Sequence, residues 1–307
     1  PLTAVCGKDG KELRVTVDFP GRAVQLRIWQ ASAGHIRLYL LDSDLPENQD
    51  TDRAITYQLY GGDINTRIQQ ELVLGLGGVR ALRLLGLEPT VWHINEGHAA
   101  FQLLERCAFR MEEGMDFDSA MELVAAGTVF TTHTPVPAGH DIFDRHLIEK
   151  YLGPAVRDLG LEFDQVYQLG LNSGGGFNMT CLALRCTRFH NGVSRIHGLV
   201  ASEMEAELWP QIPYRENPIT HITNGVHLET FDEELQWDAD GGLRRTTLRR
   251  HRHHRQRGSD RRQRVDALVI GAQRDSRTER VAGDDQRRDG RRRAVRFVPA
   301  FVGLAVV

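Results

Sequence analysis

Two short segments bring together side chains that can pass protons or grip polar groups: His93-Ile94-Asn95-Glu96-Gly97-His98 and His133-Thr134-Pro135-Val136-Pro137-Ala138-Gly139-His140. A third polar run, Asn224-Gly225-Val226-His227, follows later. Imidazoles beside a carboxylate suit acid–base work or the orientation of hydroxyl groups. The spacing of His93, Glu96 and His98 is not the His-Glu-x-x-His of a zinc helix, so metal binding is not the expected chemistry. His93, His98 and His140 are also compatible with ordinary hydrogen-bonded loop histidines. A second candidate is Gly75, Gly77 and Gly78. A phosphate-cradling loop opens a helix, whereas these glycines fall inside a helical repeat. Close approach of that helix to a strand is therefore the preferred explanation.

The surrounding pattern says what must hold these loops. Leu13, Val15 and Val17, then Val24, Leu26 and Ile28, alternate with polar residues and predict half-buried strands, and Ile36–Leu41 predicts a third. From Asn65 the apolar spacing changes to three or four (Ile68, Leu72, Leu76, Val79, Leu82, Leu85), which is helical. After Pro89 come a strand over 90–94, a helix over 99–111 with Phe101, Leu104 and Ala108 on one face, and a helix over 117–126. The β-branched strand Thr128–Thr132 follows, then helices over 178–191 and 195–207 and a strand over 219–223. Strands alternating with helices predict an α/β fold with a parallel sheet covered on both faces. In such sheets ligands bind beyond the carboxyl ends of the strands, which is where both histidine-bearing loops emerge.

Composition bounds the rest. The chain has 307 residues, 41% hydrophobic and 26% charged, ordinary values for a globular protein. No apolar run reaches membrane-spanning length. The first ten residues show neither an initiator Met nor a signal core, so a cytoplasmic protein whose sequence starts inside a longer one is expected. Cys6, Cys107, Cys181 and Cys186 lack zinc spacing and read as free buried thiols. The net charge of −3 hides a division: residues 243–307 hold 19 Arg, no Lys and seven acidic residues, a net +12 against −15 for the remainder. Leu248 is the one apolar residue between Arg244 and Arg264. Such a stretch cannot bury enough apolar surface to offset an ordering cost of roughly 1–2 kcal/mol per residue. Residues 232–307 are expected to be a disordered, non-homologous tail, read as an out-of-frame translation, with a natural basic extension as the alternative. A basic tail of this kind would bind nucleic-acid backbones electrostatically, but it lacks interleaved aromatics and any recognised module.

An ordered set of strings resembles the bacterial α-glucan (glycogen/maltodextrin) phosphorylases. It includes Leu59-Tyr60-Gly61-Gly62-Asp63, Arg67-Ile68-Gln69-Gln70-Glu71, Gly77-Gly78-Val79-Arg80-Ala81-Leu82 and Val91–Phe101. It continues with Phe130–Asp141, Phe177-Asn178-Met179-Thr180, Asn191–Gly198 and Thr223–His227. The resemblance runs from about Pro1 to Phe231 and implies a partial N-terminal domain, 1–231. In the family that Rossmann-like domain is one half of a two-domain GT-B glycosyltransferase fold, whose second domain is not recognisable here. The implied reaction is retaining phosphorolysis: inorganic phosphate takes the terminal α-1,4-linked glucose as glucose 1-phosphate. The implied cofactor is pyridoxal phosphate and the implied assembly a homodimer.

Residue by residue, the resemblance makes His133 the histidine of the glucosyl subsite and Asn224 the asparagine that hydrogen-bonds a sugar hydroxyl. Asp63 becomes an acidic residue beside the reacting glucose, and Glu96 with His98 a polar cluster behind it. Ile64 stands where animal relatives are often polar, and Glu229 and Phe231 where proline and tryptophan are usual. No lysine follows Lys150, so no counterpart of the cofactor lysine is recognised, and the chain by itself is expected to lack turnover. A nucleotide-sugar glycosyltransferase of the glycogen-synthase kind is the alternative enzyme, against which the 133–140 string argues.

Overall fold

The computed structural model describes residues 2–33, 36–58, 62–136 and 139–225, together with the backbone at 235–237, 243–245, 268–272 and 300–303. The chain opens with strands β1 (Thr3–Ala4), β2 (Arg14–Phe19), β3 (Arg22–Ala33) and β4 (Ile36–Asp42), all joined antiparallel. The period-two pattern explains the pairing. Val15 and Val17 on β2 stand opposite Leu26 and Val24 on β3, and all four are buried. Such cross-strand pairs of β-branched and aliphatic side chains stabilise a sheet with one wet face.

Short α1 (Asp50–Arg53) leads to α2 (Ile64–Leu72), a π-helical turn at Val73–Gly77, and α3 (Gly78–Leu84). The buried glycines sit where neighbours come closest. A Cβ on Gly75 would lie 2.7 Å from Phe101 Cβ and 2.9 Å from the Gln102 backbone nitrogen, and one on Gly77 2.9 Å from Leu26 Cδ1. Close packing thus accounts for these glycines, although Gly75 packs against a helix rather than a strand.

The βα rhythm follows. β5 (Trp92–Asn95) and a 3-10 turn (Gly97–Ala99) precede α4 (Phe101–Glu112), α5 (Phe117–Ala126) and β6 (Thr128–Thr132). Next come the small pair β7 (Ile142–Phe143) and β8 (Phe177–Asn178), around α6 (Arg145–Asp158) and α7 (Phe163–Gly170). Then α8 (Met179–Arg185), β9 (Phe189–Gly192), α9 (Arg195–Met204) and β10 (Ile219–His221) complete the unit. β5, β6, β9 and β10 are parallel neighbours in that order. The α/β fold with a parallel sheet is as expected, with an antiparallel region joined to it. Helix starts are marked by side chains that accept the otherwise unpaired first-turn N–H groups: Asp63, Asp116, Asp144, Asn178 and Ser194.

Several expectations need correction. The helix expected over 178–191 ends at Arg185, because Phe189–Gly192 is a strand paired with β6. The buried face of α4 runs through Phe101, Leu103 and Cys107 rather than through Ala108. Of the four thiols, Cys6 is exposed; the other three are buried, and burial raises Cys107 to about 11 and Cys181 and Cys186 to about 12. Within 232–307, expected as a disordered tail, the described residues are four short strands. β11 (Leu235–Trp237) pairs with β12 (Leu243–Arg245), while β13 (Leu268–Ala272) and β14 (Ala300–Gly303) lie between β4 and β5 in the main sheet. These last two are the apolar, strand-forming runs of an otherwise polar segment, and they satisfy backbone groups along β4 and β5. The rest of 232–307, with the strings at 59–61 and 226–231, lies outside the described residues.

Candidate functional site

A cleft of about 470 Å³ opens at the carboxyl ends of β5 and β6, within the roughly 300–1,000 Å³ typical of small-molecule sites. Its walls are Arg67 from α2, Glu96 and His98 from the turn after β5, and His133, Thr134, Pro135, Gly139 and Asp141 from the loop after β6. Adjacent parallel strands deliver both turns to one place. Ile94 pairs with Phe130 and Asn95 with Thr131, so the chain leaves both strands at the same level.

Glu96 has φ 65° and ψ 168°, a region almost confined to glycine, and the strain costs on the order of 1–3 kcal/mol. The surroundings fix it there. Its N–H donates to the Thr131 carbonyl at 2.9 Å. Its carboxylate accepts from the backbone N–H of His133, and from the Thr134 hydroxyl at 3.1 Å. Glu96 therefore ties the two loops together, and the strained backbone is what aims its carboxylate at the second loop.

His133 lies exposed at the mouth. Its Nε2 donates to Asn95 Oδ1, which leaves Nδ1 as an acceptor. Burial holds its protonation below the usual histidine range, against the opposing pull of Glu96, so the neutral ring is favoured. Deeper in, Asp141 takes a two-pronged contact from Arg67, through Nη2 and through Nε at 3.3 Å. His98 Nε2 is 3.3 Å from the same carboxylate. Burial disfavours protonation of His98, so it meets Asp141 as a neutral donor. Glu71, fully buried, is 3.6 Å from Arg67. Burial first, and the Asp141 charge second, push it well above the usual carboxylate range. Arg67 thus lies between Asp141, whose pKa is lowered, and Glu71, whose pKa is raised.

A second buried pair lies behind the loop: His140 Nδ1 is 3.5 Å from Glu205 Oε1, at the end of α9. Burial, then the carboxylates of Glu207 and Glu96, raise Glu205 to about 7; burial lowers His140. A carboxyl raised on folding holds its proton more tightly in the fold. Its stability contribution is complete below the unfolded value near 4.3 and is lost as pH rises toward about 7, a fall of up to about 3 kcal/mol. Glu205→Gln is expected to flatten that fall in urea titrations at a series of pH values between these limits. An unchanged slope would mean that Glu205 is ionised against His140.

Two expected site residues lie elsewhere. Asp63 is exposed, and its carboxylate accepts from Thr66 N–H at 2.9 Å and Thr66 Oγ1 at 3.0 Å, which lowers its pKa. It caps α2 and is not among the cleft-lining residues. Asn224, just beyond β10, is exposed and does not line the cleft; its N–H donates to the Val193 carbonyl at 3.1 Å. Glu96 and His98, expected as a polar cluster behind the glucosyl subsite, line the cleft. Arg67 and Asp141 were missed as site residues. Both lie within the strings that carry the resemblance, but 74 positions separate them, and nothing local shows that they meet.

No protein-family model matches the chain. Among curated proteins, the maltodextrin phosphorylase of Thermococcus litoralis is 44% identical over 231 residues, 75% of this chain and 27% of that protein. The glycogen phosphorylase of Mycobacterium tuberculosis is 42% identical over 245 residues, 75% of this chain and 28% of its own length. That of Aquifex aeolicus is 35% identical over 235 residues, 75% and 33%. The matched part of this chain belongs to the α-glucan phosphorylases. The chain spans about a quarter to a third of the length of these relatives.

Pyridoxal phosphate, the cofactor implied for a phosphorylase, does not fit the described residues. A Schiff base needs a lysine amine. Lys11 sits 86% exposed beside Asp9 near the start of the chain, and Lys150 packs on the Tyr151 ring in α6. Neither these nor Lys8 line the cleft, and its one cation, Arg67, is engaged with Asp141 and Glu71. The groups that line the cleft are suited to a neutral polyol.

Proposed function

We propose that the cleft at the ends of β5 and β6 receives the terminal glucosyl unit of an α-1,4-glucan, as the glucan-facing half of a phosphorylase active site. The protein to which the sequence belongs then performs retaining phosphorolysis in a two-domain GT-B fold. Inorganic phosphate displaces the shortened glucan from the anomeric carbon, giving glucose 1-phosphate. The observation that carries this reading is the convergence of Glu96, His98, His133 and Asp141 on one cleft, in a chain 44% identical over 231 residues to a maltodextrin phosphorylase.

The chemistry of the walls suits the ligand. Each sugar hydroxyl is both donor and acceptor, and leaving either unmet in a closed site is costly. His133 Nδ1 offers an acceptor, and the Asp141 carboxylate offers another. Glu96 already accepts from two groups of the His133 loop; its role is to hold that loop against the ligand. Asn224 is assigned a sugar hydroxyl at the edge of the same ligand, and Asp63 a place in the loop ahead of α2.

The reading is tested by native electrophoresis in gels containing glycogen. The chain is expected to be retarded, and His133→Ala to be retarded markedly less. Equal mobility of the two proteins with and without glycogen would overturn the proposal. Incubated with maltoheptaose, phosphate and pyridoxal phosphate, these 307 residues alone are expected to release no glucose 1-phosphate, since no described lysine meets the site.

A further inference from the structure

We propose that His197 is a positioning residue: its imidazole, acting through Val193, ties the loop carrying His133 to the loop carrying Asn224, so that the two loops keep one spacing. The geometry is a continuous run of hydrogen bonds. Val193 N–H donates to His197 Nδ1 at 3.2 Å. With Nδ1 accepting, the ring proton lies on Nε2, and Nε2 donates to the Thr134 carbonyl at 3.2 Å. The run continues on the other side, where the Val193 carbonyl accepts from Asn224 N–H at 3.1 Å. Thr134 is the neighbour of His133 and is itself bonded to Glu96. One imidazole therefore joins the loop after β6 to the loop after β9, and the Val193 carbonyl carries the run on to Asn224 beyond β10.

The local structure is built around that ring. Ser194 caps α9 by accepting from His197 N–H at 3.1 Å, which fixes the first turn. His197 is 8% exposed. A Cβ on Gly192 would lie 2.7 Å from His197 Nδ1 and 2.8 Å from the Gly198 backbone nitrogen, so only glycine leaves the ring its place. Gly198 in turn lets α9 sit on β10, where a Cβ would come 2.9 Å from the Thr220 carbonyl oxygen. A histidine serving only to fill space would not need one nitrogen as acceptor and the other as donor, each matched to a backbone group of a different loop. The fit restricts the role to side chains that present both. A glutamine amide does so with its oxygen and nitrogen; a leucine of similar bulk does not.

The inference rests on the glucan reading only for its affinity readout, and the test separates the two. His197→Gln and His197→Leu are made in the whole 307-residue chain. Amide hydrogen exchange at Val193 and Asn224, the His133 ring signals and maltoheptaose affinity are compared with the parent. The leucine variant is expected to lose protection at both amides, to shift the His133 ring signals, and to bind maltoheptaose about tenfold more weakly, the worth of one displaced hydrogen bond. The glutamine variant is expected to restore all three. Unchanged exchange and His133 signals in a folded leucine variant would overturn the tie. So would a glutamine variant as impaired as the leucine one at equal thermal stability. If the exchange and ring signals respond as stated but no form binds maltoheptaose, the tie stands and the glucan reading falls.

Discussion

Arg67→Met is expected to destabilise the protein by about 3–5 kcal/mol, the usual cost of removing one partner from a buried ion pair. The side chain is 12% exposed and its partner Asp141 19%, so water replaces only part of either partner when the other is removed. The cost falls on Asp141, which faces Glu71 and His98 with no cation left beside it. Glu71→Gln behaves differently. Because burial and the Asp141 charge favour the protonated form of Glu71, a neutral amide of the same shape is a close substitute, and the loss should stay below about 1 kcal/mol. Urea unfolding of the two variants near neutral pH checks both values. Equal losses would mean that Glu71 is ionised and shares Arg67 with Asp141.

Gly75→Ala is the second large effect. The added Cβ would meet Phe101 Cβ at 2.7 Å, the Gln102 nitrogen at 2.9 Å and the Phe101 carbonyl carbon at 3.0 Å. Two of these atoms are backbone, so no rotamer change relieves the clash, and the loss is expected at the upper end of the about 1–3 kcal/mol typical of overpacking, or beyond it. Gly77→Ala is the control. Its Cβ meets side-chain tips, Leu26 Cδ1 at 2.9 Å and Leu41 Cδ1 at 3.2 Å, and the helix-propensity gain of about 1 kcal/mol offsets part of the cost. Thermal unfolding of the pair should rank Gly75→Ala clearly below Gly77→Ala. The consequence reaches the cleft, because α4, displaced by the new Cβ, follows directly from the turn that carries Glu96 and His98.

These two positions show what the sequence made legible. The helical period from Asn65 to Leu85 announced a helix, and glycines inside it announced close packing. The π-helical turn at Val73–Gly77 left no mark, since it shifts one bond register without changing the apolar spacing. The strands β2, β3 and β6 were legible because each alternates or is β-branched. β9 was not: Phe189-His190-Asn191-Gly192 has no strand pattern, and it holds its place by pairing with β6, a long-range contact. The loops at β5 and β6 were legible as a site because parallel sheets collect ligands at that end. The Arg67–Asp141 pair was not, since its members lie 74 positions apart. Asp63 shows the opposite case, in which a residue singled out for chemistry has its carboxylate engaged in capping a helix.

The most direct test of the central claim is a maltoheptaose titration of the 15N-labelled chain, followed at the histidine rings. The account expects saturable shifts at His133 and His98, which line the cleft, with none at His146, which lies in α6 away from the cleft-lining set. Rings that do not respond, or that all respond equally, would contradict a glucosyl site at the ends of β5 and β6.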